Sequence, residues 1–232
     1  MRIGIIGAMS EETEKLINAM EVQETLEKAQ MVFKKGILYN REAVVVTSGI
    51  GKVNAAICTQ ILVDDFHIDY VINVGIAGGA QEQLYPGDIV IGKELVQHDM
   101  DATFFDYKLG QIPRVDTHTF KSDDNLVELA KEATKHIKDY KCYEGVIASG
   151  DQFVATKEKL EWLNENFSAF ACEMEGASIA HVAYLNHVPF IVIRSISDNA
   201  INGTHLEYDK FKWIAVENSV KIIESMLKST KL

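Results

Sequence analysis

Three acidic residues, Glu12, Glu175 and Asp198, each follow an apolar run of the sequence, and Arg194 lies inside the run that precedes Asp198. A carboxylate or guanidinium that is buried without a partner costs several kcal/mol, so charged residues in such places indicate either an ion pair or a ligand site. A carboxyl group can also give or take a proton. These residue types therefore suit acid–base chemistry on a bound molecule.

Each of these residues also has a purely structural explanation. Glu12 falls in the first turn of a predicted helix, where an acid interacts favourably with the helix dipole. A salt bridge in the core would explain Arg194 equally well. Glu173 and Glu175 share one side of the chain if a strand continues through them, whereas Glu175 starts a helix if the strand ends. We expect one of these two glutamates to be structural.

Elements that could position these residues recur along the whole chain. Runs rich in Val and Ile predict strands at residues 2–6, 42–48, 69–75, 88–92 and 189–197. Two segments have the apolar spacing of a helix. The first follows the candidate N-caps Asp123 and Asp124, with apolar residues at Leu126, Leu129, Ala130, Ala133 and Ile137. The second has them at Phe211, Ile214, Ala215, Ile222 and Met226. Strands alternating with helices predict an α/β protein, a three-layer sandwich with a central mixed β-sheet flanked by helices.

The composition limits the class of protein. The 232-residue chain carries 34 Asp and Glu against 23 Lys and Arg, which gives a net charge of −11 and disfavours nucleic acid and anionic membranes as partners. Its three cysteines form no metal or disulfide pattern, and no apolar run resembles a signal peptide or a membrane span. We expect a single domain over residues 1–232 and a cytoplasmic location.

The strand ends of such a sheet converge, and ligands bind at the carboxyl ends of its strands. Glycine-rich segments at 47–56 and 71–80 match neither the dinucleotide nor the P-loop spacing. If the three acids share a pocket with apolar and aromatic residues, that pocket suits a nucleoside, which offers a base to stack, a diol to bind and a glycosidic bond to break. The apolar and aromatic candidates are Met9, Ile50, Phe153 and Met174.

Seven motifs follow one another along the chain: GIIGAMSEE, SGIGKVNAA, NVGIAGG, HDMDATFF, ASGDQFV, EMEGASIAHV and RSISDNA. In this order and spacing, the sequence resembles over nearly its whole length the bacterial 5'-methylthioadenosine/S-adenosylhomocysteine nucleosidases of the nucleoside phosphorylase superfamily. The resemblance implies a nucleoside phosphorylase-like fold and hydrolysis of an adenine nucleoside without a metal or cofactor.

The resemblance also implies roles for individual residues. Glu12 would deprotonate the attacking water, with Arg194 nearby as an orienting partner. Glu175 would accept hydrogen bonds from the ribose hydroxyls. Asp198, held by Ser197, would pass a proton to the imidazole-ring nitrogen of the purine, so that the base leaves neutral.

The remaining roles concern the walls of the pocket. Phe153 would stack on the base, the backbone of Val154 would bind its edge, and Met174 would line the sugar. Met9, Ile50 and Tyr208 would line the sugar and the 5' substituent, and a homodimer partner would close the pocket with its Phe105 and Pro113. Ile76 departs from the pattern, because many members of the family carry a hydroxyl residue there.

Three questions stay open at this point. A phosphorolytic enzyme of the same superfamily would attack with phosphate. Lys52 in the GIGK segment is a cation that could bind phosphate, so this alternative stays open. A binding protein that kept the fold would return its nucleoside intact. The substrate range includes methylthioadenosine, S-adenosylhomocysteine and 5'-deoxyadenosine. The sequences of residues 96–110 and 145–154 resemble family members that also cleave 6-amino-6-deoxyfutalosine, so this nucleoside is a further candidate.

Overall fold

The computed structural model describes residues 1–204 and 208–231, except for the side chains of residues 208–210. The strands are β1 (Arg2–Gly7), β2 (Glu21–Lys28), β3 (Met31–Leu38), β4 (Arg41–Thr47), β5 (Tyr70–Gly79), β6 (Ile89–Gln97), β7 (Phe120–Lys121), β8 (Cys142–Ser149), β9 (Ala169–Glu173) and β10 (Phe190–Asp198). The helices are α1 (Ser10–Ala19), α2 (Lys52–Phe66), α3 (Asp124–Thr134), α4 (Lys157–Phe167), α5 (Gly176–Leu185) and α6 (Tyr208–Lys228).

The strands form one mixed sheet in the order β10-β6-β8-β9-β5-β1-β4-β3-β2, with β7 paired to β6. Strand β10 also pairs with β5, so β5, β10, β6, β8 and β9 form a closed circuit. Strand β1 runs parallel to β4 and β5, and β10 runs parallel to β5, whereas β6 and β10 are antiparallel. The predicted mixed sheet is confirmed, and part of it closes on itself.

Helices cover both faces of the sheet, which explains why the strands are apolar at consecutive positions. In β1, Ile3 and Ile5 pack into a core cluster with residues of α1, α3 and α6, while Ile6 packs into the opposite cluster with residues of α2 and α5. Helix α4 packs on β8 and β9. The predicted three layers are therefore present. No helix in the described part of the chain is long and apolar enough to cross a membrane.

Two local features differ from the sequence-based expectation. Asp123 is the N-cap of α3 and accepts hydrogen bonds from the N–H groups of Asn125 and Leu126, but the helix ends at Thr134, so Ile137 packs on the core from beyond it. The hairpin of β2 and β3 was not predicted, because β2 is a charged and mainly exposed strand without the apolar pattern that marks the others.

Candidate active site

A cavity of about 200 Å³ opens at the carboxyl ends of β1, β5, β9 and β10. Its wall combines apolar residues with four acids and contains no Lys or Arg among the described residues. The lining residues are Ala8, Met9, Glu12, Ile50, Ile76, Ala77, Gly78, Gln152, Phe153, Val154, Cys172, Glu173, Met174, Glu175, Ser197 and Asp198. The structure thus brings together most of the residues that the sequence singled out.

Glu12 is buried in the first turn of α1 and is held by three backbone N–H groups. Its Oε2 accepts from Ala8 at 2.7 Å and from Met9 at 3.0 Å, and its Oε1 accepts from Ile76 at 3.1 Å. Burial raises the pKa of Glu12, although Arg194 and these N–H groups oppose the rise. Glu12 therefore caps its helix and also presents a fixed proton acceptor to the cavity.

Gly75 in β5 allows the carboxylate of Glu12 to lie against the strand. A Cβ at position 75 would stand 2.5 Å from Glu12 Oε1. We expect Gly75→Ala to displace that carboxylate while the fold persists, because the displaced group is the end of a flexible side chain. If Glu12 is the base that the resemblance implies, its displacement costs up to about 10²-fold, so we expect kcat to fall at least about 10-fold with a smaller change in KM. Steady-state kinetics beside thermal unfolding measure this, and unchanged kcat would show that Gly75 has no such role.

Glu175 is the N-cap residue of α5, between the end of β9 and the first helical turn. Its Oε1 accepts from the N–H of Gly51 at 2.7 Å, and Gly51 adopts φ 97°, a conformation that favours glycine. Burial, reinforced by the negative charge of Glu173, raises the pKa of Glu175 to about 7. The strand therefore ends before Glu175, which settles the choice that the sequence left open.

The raised pKa values predict a pH dependence. In the roles that the resemblance implies, Glu12 must be ionised to take a proton and Glu175 must be ionised to accept from both ribose hydroxyls. A raised pKa means that each binds its own proton at a higher pH than an ordinary glutamate. We therefore expect kcat/KM to fall as the pH drops through about 7. A pH profile of kcat/KM reports the free enzyme. A profile that stays flat down to about pH 5, near the ordinary range of glutamate, would contradict this expectation.

Arg194 lies behind the cavity wall and does not line it. Its Nη2 donates to Glu173 Oε2 and to Asn73 Oδ1, each at 2.5 Å, and no hydrogen bond joins it to Glu12 among the described contacts. The expected role of Arg194 as an orienting partner of Glu12 therefore involves no hydrogen bond among the described contacts and stays a prediction. Its positive charge lowers the pKa of Glu12 without direct contact. The salt-bridge explanation for Arg194 is thus part of its role.

Asp198 ends β10 at an irregularity in the pairing with β5. The hydroxyl of Ser197 donates to Asp198 Oδ1 at 2.6 Å, which fixes the orientation of the carboxyl group. Phe153 stands at the mouth of the cavity with 74% of its surface exposed, beside the half-buried Val154. A flat aromatic face therefore lies open on one side of the cavity, with a carboxyl group in the same wall.

Besides Arg194, two predicted positions do not line this cavity in the described part of the chain. Phe105 and Pro113 are exposed, Phe105 at 69%, in the segment after β6. The side chain of Tyr208 lies outside the described residues. Lining residues that the sequence analysis missed are Ala8, Ala77, Gly78, Gln152, Cys172 and Glu173. Among these, Glu173 alone has a signal in the sequence, because it is a second acid in an otherwise apolar segment.

Lys52 does not reach the cavity. Its Nζ donates to Asp99 Oδ1 at 2.7 Å and to Gln97 Oε1 at 3.2 Å, and both members of the ion pair are largely buried. Its backbone N–H donates to Asp151. The positive charge of Lys52 is therefore committed to holding neighbouring loops together, and the acidic wall of the cavity disfavours an anion.

Comparisons with known proteins find relatives along nearly the whole chain. A model of the "Phosphorylase superfamily" matches residues 2–228. A 5'-methylthioadenosine/S-adenosylhomocysteine nucleosidase of Shewanella loihica is 43% identical over 229 residues, 98% of this chain and 99% of that protein.

Solved structures give the same result. The Neisseria meningitidis 5'-methylthioadenosine/S-adenosylhomocysteine nucleosidase in complex with methylthio-immucillin-A superposes with a TM-score of 0.93 at 37% identity, covering 98% of each chain. The futalosine hydrolase of Helicobacter pylori superposes with a TM-score of 0.89 at 39% identity, covering 97% of each chain. The chain belongs to the phosphorylase superfamily and, within it, to the family of the 5'-methylthioadenosine/S-adenosylhomocysteine nucleosidases.

Proposed function

We propose that this protein hydrolyses the N-glycosidic bond of 5'-methylthioadenosine and S-adenosylhomocysteine, releasing adenine and the 5'-substituted ribose. The observation that carries the proposal is the placement of Glu12, Glu175 and Asp198 in one cavity with apolar and aromatic walls. The relatives named above support the substrate class, because their names and ligands are those of adenine nucleosides.

The reaction divides between two carboxyl groups. Glu12 takes a proton from a water molecule, and the water oxygen forms a bond to C1' of the ribose as the bond from C1' to N9 of the purine breaks. Asp198 gives its proton to N7, so adenine leaves without a negative charge. Arg194 supports the first step through its charge, which lowers the pKa of Glu12 and so favours the ionised form that takes the proton.

Glu175 accepts the hydrogen bonds of the ribose diol. The N–H of Gly51 and the N-terminal position on α5 fix its carboxylate at the cavity wall. Hydrogen bonds to the sugar hydroxyls strengthen as positive charge develops on the ring, so an aimed carboxylate favours the transition state over the bound substrate. Met174 lies beside Glu175 and supplies an apolar contact for the sugar.

The aromatic and apolar wall binds the rest of the nucleoside. Phe153 stacks on the purine, and the backbone of Val154 binds its edge. Met9 and Ile50 line the sugar and the 5' substituent, and the same role is assigned to Tyr208, whose side chain lies outside the described residues. Ile76 brings no hydroxyl group to the cavity, but its N–H donates to Glu12 and so contributes to the base instead.

Water is favoured over phosphate as the nucleophile. Phosphate requires positive charge and oriented donors, whereas the described wall contains four carboxyl groups and no cation. Lys52, the residue that kept the phosphorolytic alternative, is bound to Asp99 and Gln97. This arrangement supports hydrolysis.

The protein acts as a homodimer in the cytoplasm. Phe104 and Phe105 are exposed at 89% and 69%, and Ile50, Val53 and Ile57 present further apolar surface along the start of α2. Exposed apolar surface of this kind is typical of a contact between protein chains. It supports a role for Phe105 and Pro113 in closing the partner's cavity. The unpaired state of Cys58, Cys142 and Cys172 supports a reducing compartment. A molar mass of one chain in light scattering would contradict the dimer.

The substrate range includes 5'-deoxyadenosine and 6-amino-6-deoxyfutalosine. The similarity to the Helicobacter pylori futalosine hydrolase supports the second of these. The test is release of adenine from all four nucleosides in phosphate-free buffer. Adenine from methylthioadenosine and S-adenosylhomocysteine is the expected result, and full recovery of all four nucleosides would favour a binding protein instead.

A further inference from the structure

Glu173 lines the cavity wall but has most of its hydrogen-bonding capacity occupied by the protein. Its side chain is 3% exposed. Oε1 accepts from the hydroxyl of Ser149 and from the N–H of Gly176 at 3.0 Å, and Oε2 accepts from Arg194 and from the N–H groups of Glu175 and Gly176 at 3.1 and 2.8 Å. These contacts join the ends of β8 and β9, the middle of β10 and the start of α5.

The two glutamates are therefore linked through the backbone. Glu173 accepts from the N–H of Glu175, while the N–H of Gly51 donates to the carboxylate of Glu175. Ser149 extends the first contact, because its hydroxyl accepts from the N–H of Ala177 at 2.7 Å while it donates to Glu173. The first helical turn of α5 is thereby fixed on one carboxylate.

The partners of the side chain at position 173 are all hydrogen-bond donors. The carboxylate of Glu173 faces the guanidinium of Arg194 and the N–H groups at the N-terminus of α5, which favour a negative charge. An amide offers one acceptor oxygen and two donor hydrogens, so it satisfies only part of this set. A buried donor that loses its acceptor moves to find another. Any such movement displaces the backbone of Glu175.

We propose that Glu173 is a positioning residue that aims the carboxylate of Glu175 at the ribose hydroxyls. The inference rests on the proposed role of Glu175 and extends it to a residue that makes no contact with the substrate itself. A merely structural residue would affect every ligand of the cavity to the same extent. A residue that acts through Glu175 affects ligands that contain a ribose and spares the free base.

The test compares two ligands in calorimetric titrations: adenine, and a non-cleavable C-nucleoside analogue of 5'-methylthioadenosine. Hydrogen bonds to a charged group contribute enough that we expect Glu173→Gln to weaken the C-nucleoside at least about 30-fold and adenine less than about 3-fold. Glu175→Gln should show the same selectivity. In turnover assays, Glu173→Gln should lower kcat as well as raise KM.

Glu42→Gln is the matched control, because it removes one carboxylate from the Arg2–Glu42 ion pair in another part of the sheet. It should leave both affinities unchanged. If Glu173→Gln does not give a native circular dichroism spectrum, Ser149→Ala replaces it, with an expected selective loss of about 5-fold for the loss of one hydrogen bond. Equal losses for the two ligands, or no loss for either, would overturn the inference. A wild-type protein that binds both ligands but releases no adenine from 5'-methylthioadenosine would overturn only the proposed hydrolysis.

Discussion

Asp198→Asn is expected to lower kcat for adenine release by about 10²–10⁴-fold, the usual contribution of a general acid, with little change in KM. The amide oxygen of asparagine can still accept the hydrogen bond from Ser197, which is 2.6 Å in the present structure, so the geometry persists. The amide has no proton that it can transfer to the purine. Single-turnover measurement of adenine release, beside thermal unfolding, separates this chemical loss from a loss of fold.

Two comparisons sharpen this prediction. Asp123→Asn makes the same change at the N-cap of α3, where asparagine caps as well as aspartate, and should leave kcat unchanged. The 4-nitrophenyl glycoside of 5-methylthioribose has a leaving group that departs without a proton, so Asp198→Asn should slow its hydrolysis much less. Wild-type kcat for methylthioadenosine in Asp198→Asn, or equal losses for the two substrates, would show that Asp198 is not the acid.

Glu12→Gln carries the second large effect, a loss of about 10²–10⁴-fold in kcat, because the general base is removed. The carboxylate accepts N–H groups on both of its oxygens, from Ala8 and Met9 on one and from Ile76 on the other. The NH₂ of glutamine would face one of these donors. We therefore also expect Glu12→Gln to lower the melting temperature.

The neighbouring residue provides the control. Glu11 lies in the same helical turn and pairs with Lys212 at 3.0 Å, away from the cavity lining. Glu11→Gln removes the same charge from the same helix N-terminus and should retain kcat within about 2-fold, the range expected of a surface ion pair. If Glu11→Gln and Glu12→Gln lose activity to the same extent, the effect belongs to the helix terminus and the assignment of the base is wrong.

The sequence predicted the fold well because its strands are buried on both faces. Such strands read as continuous apolar runs, and polar residues that follow them fall at the carboxyl ends of the sheet. Glu12, Glu175 and Asp198 could be identified in this way. The β2–β3 hairpin could not, because charged, exposed strands lack that pattern.

Contacts between distant segments were beyond the reach of sequence patterns. The pairing of β5 with β10 joins segments more than 100 residues apart and closes part of the sheet, and nothing local specifies it. Glu173 reads as an acid without a ligand, because its partners Ser149 and Arg194 lie 24 and 21 residues away. From the sequence alone, Lys52 is a candidate phosphate ligand. Only the structure shows that its charge is paired with Asp99.

The central claim is that water, activated by Glu12, attacks a nucleoside whose base is protonated by Asp198. Its most direct test is to incubate the protein with 5'-methylthioadenosine in buffers without and with phosphate and to identify both products by mass spectrometry. Hydrolysis predicts adenine and free 5-methylthioribose at the same rate in both buffers. Turnover that requires phosphate and yields 5-methylthioribose 1-phosphate would contradict it.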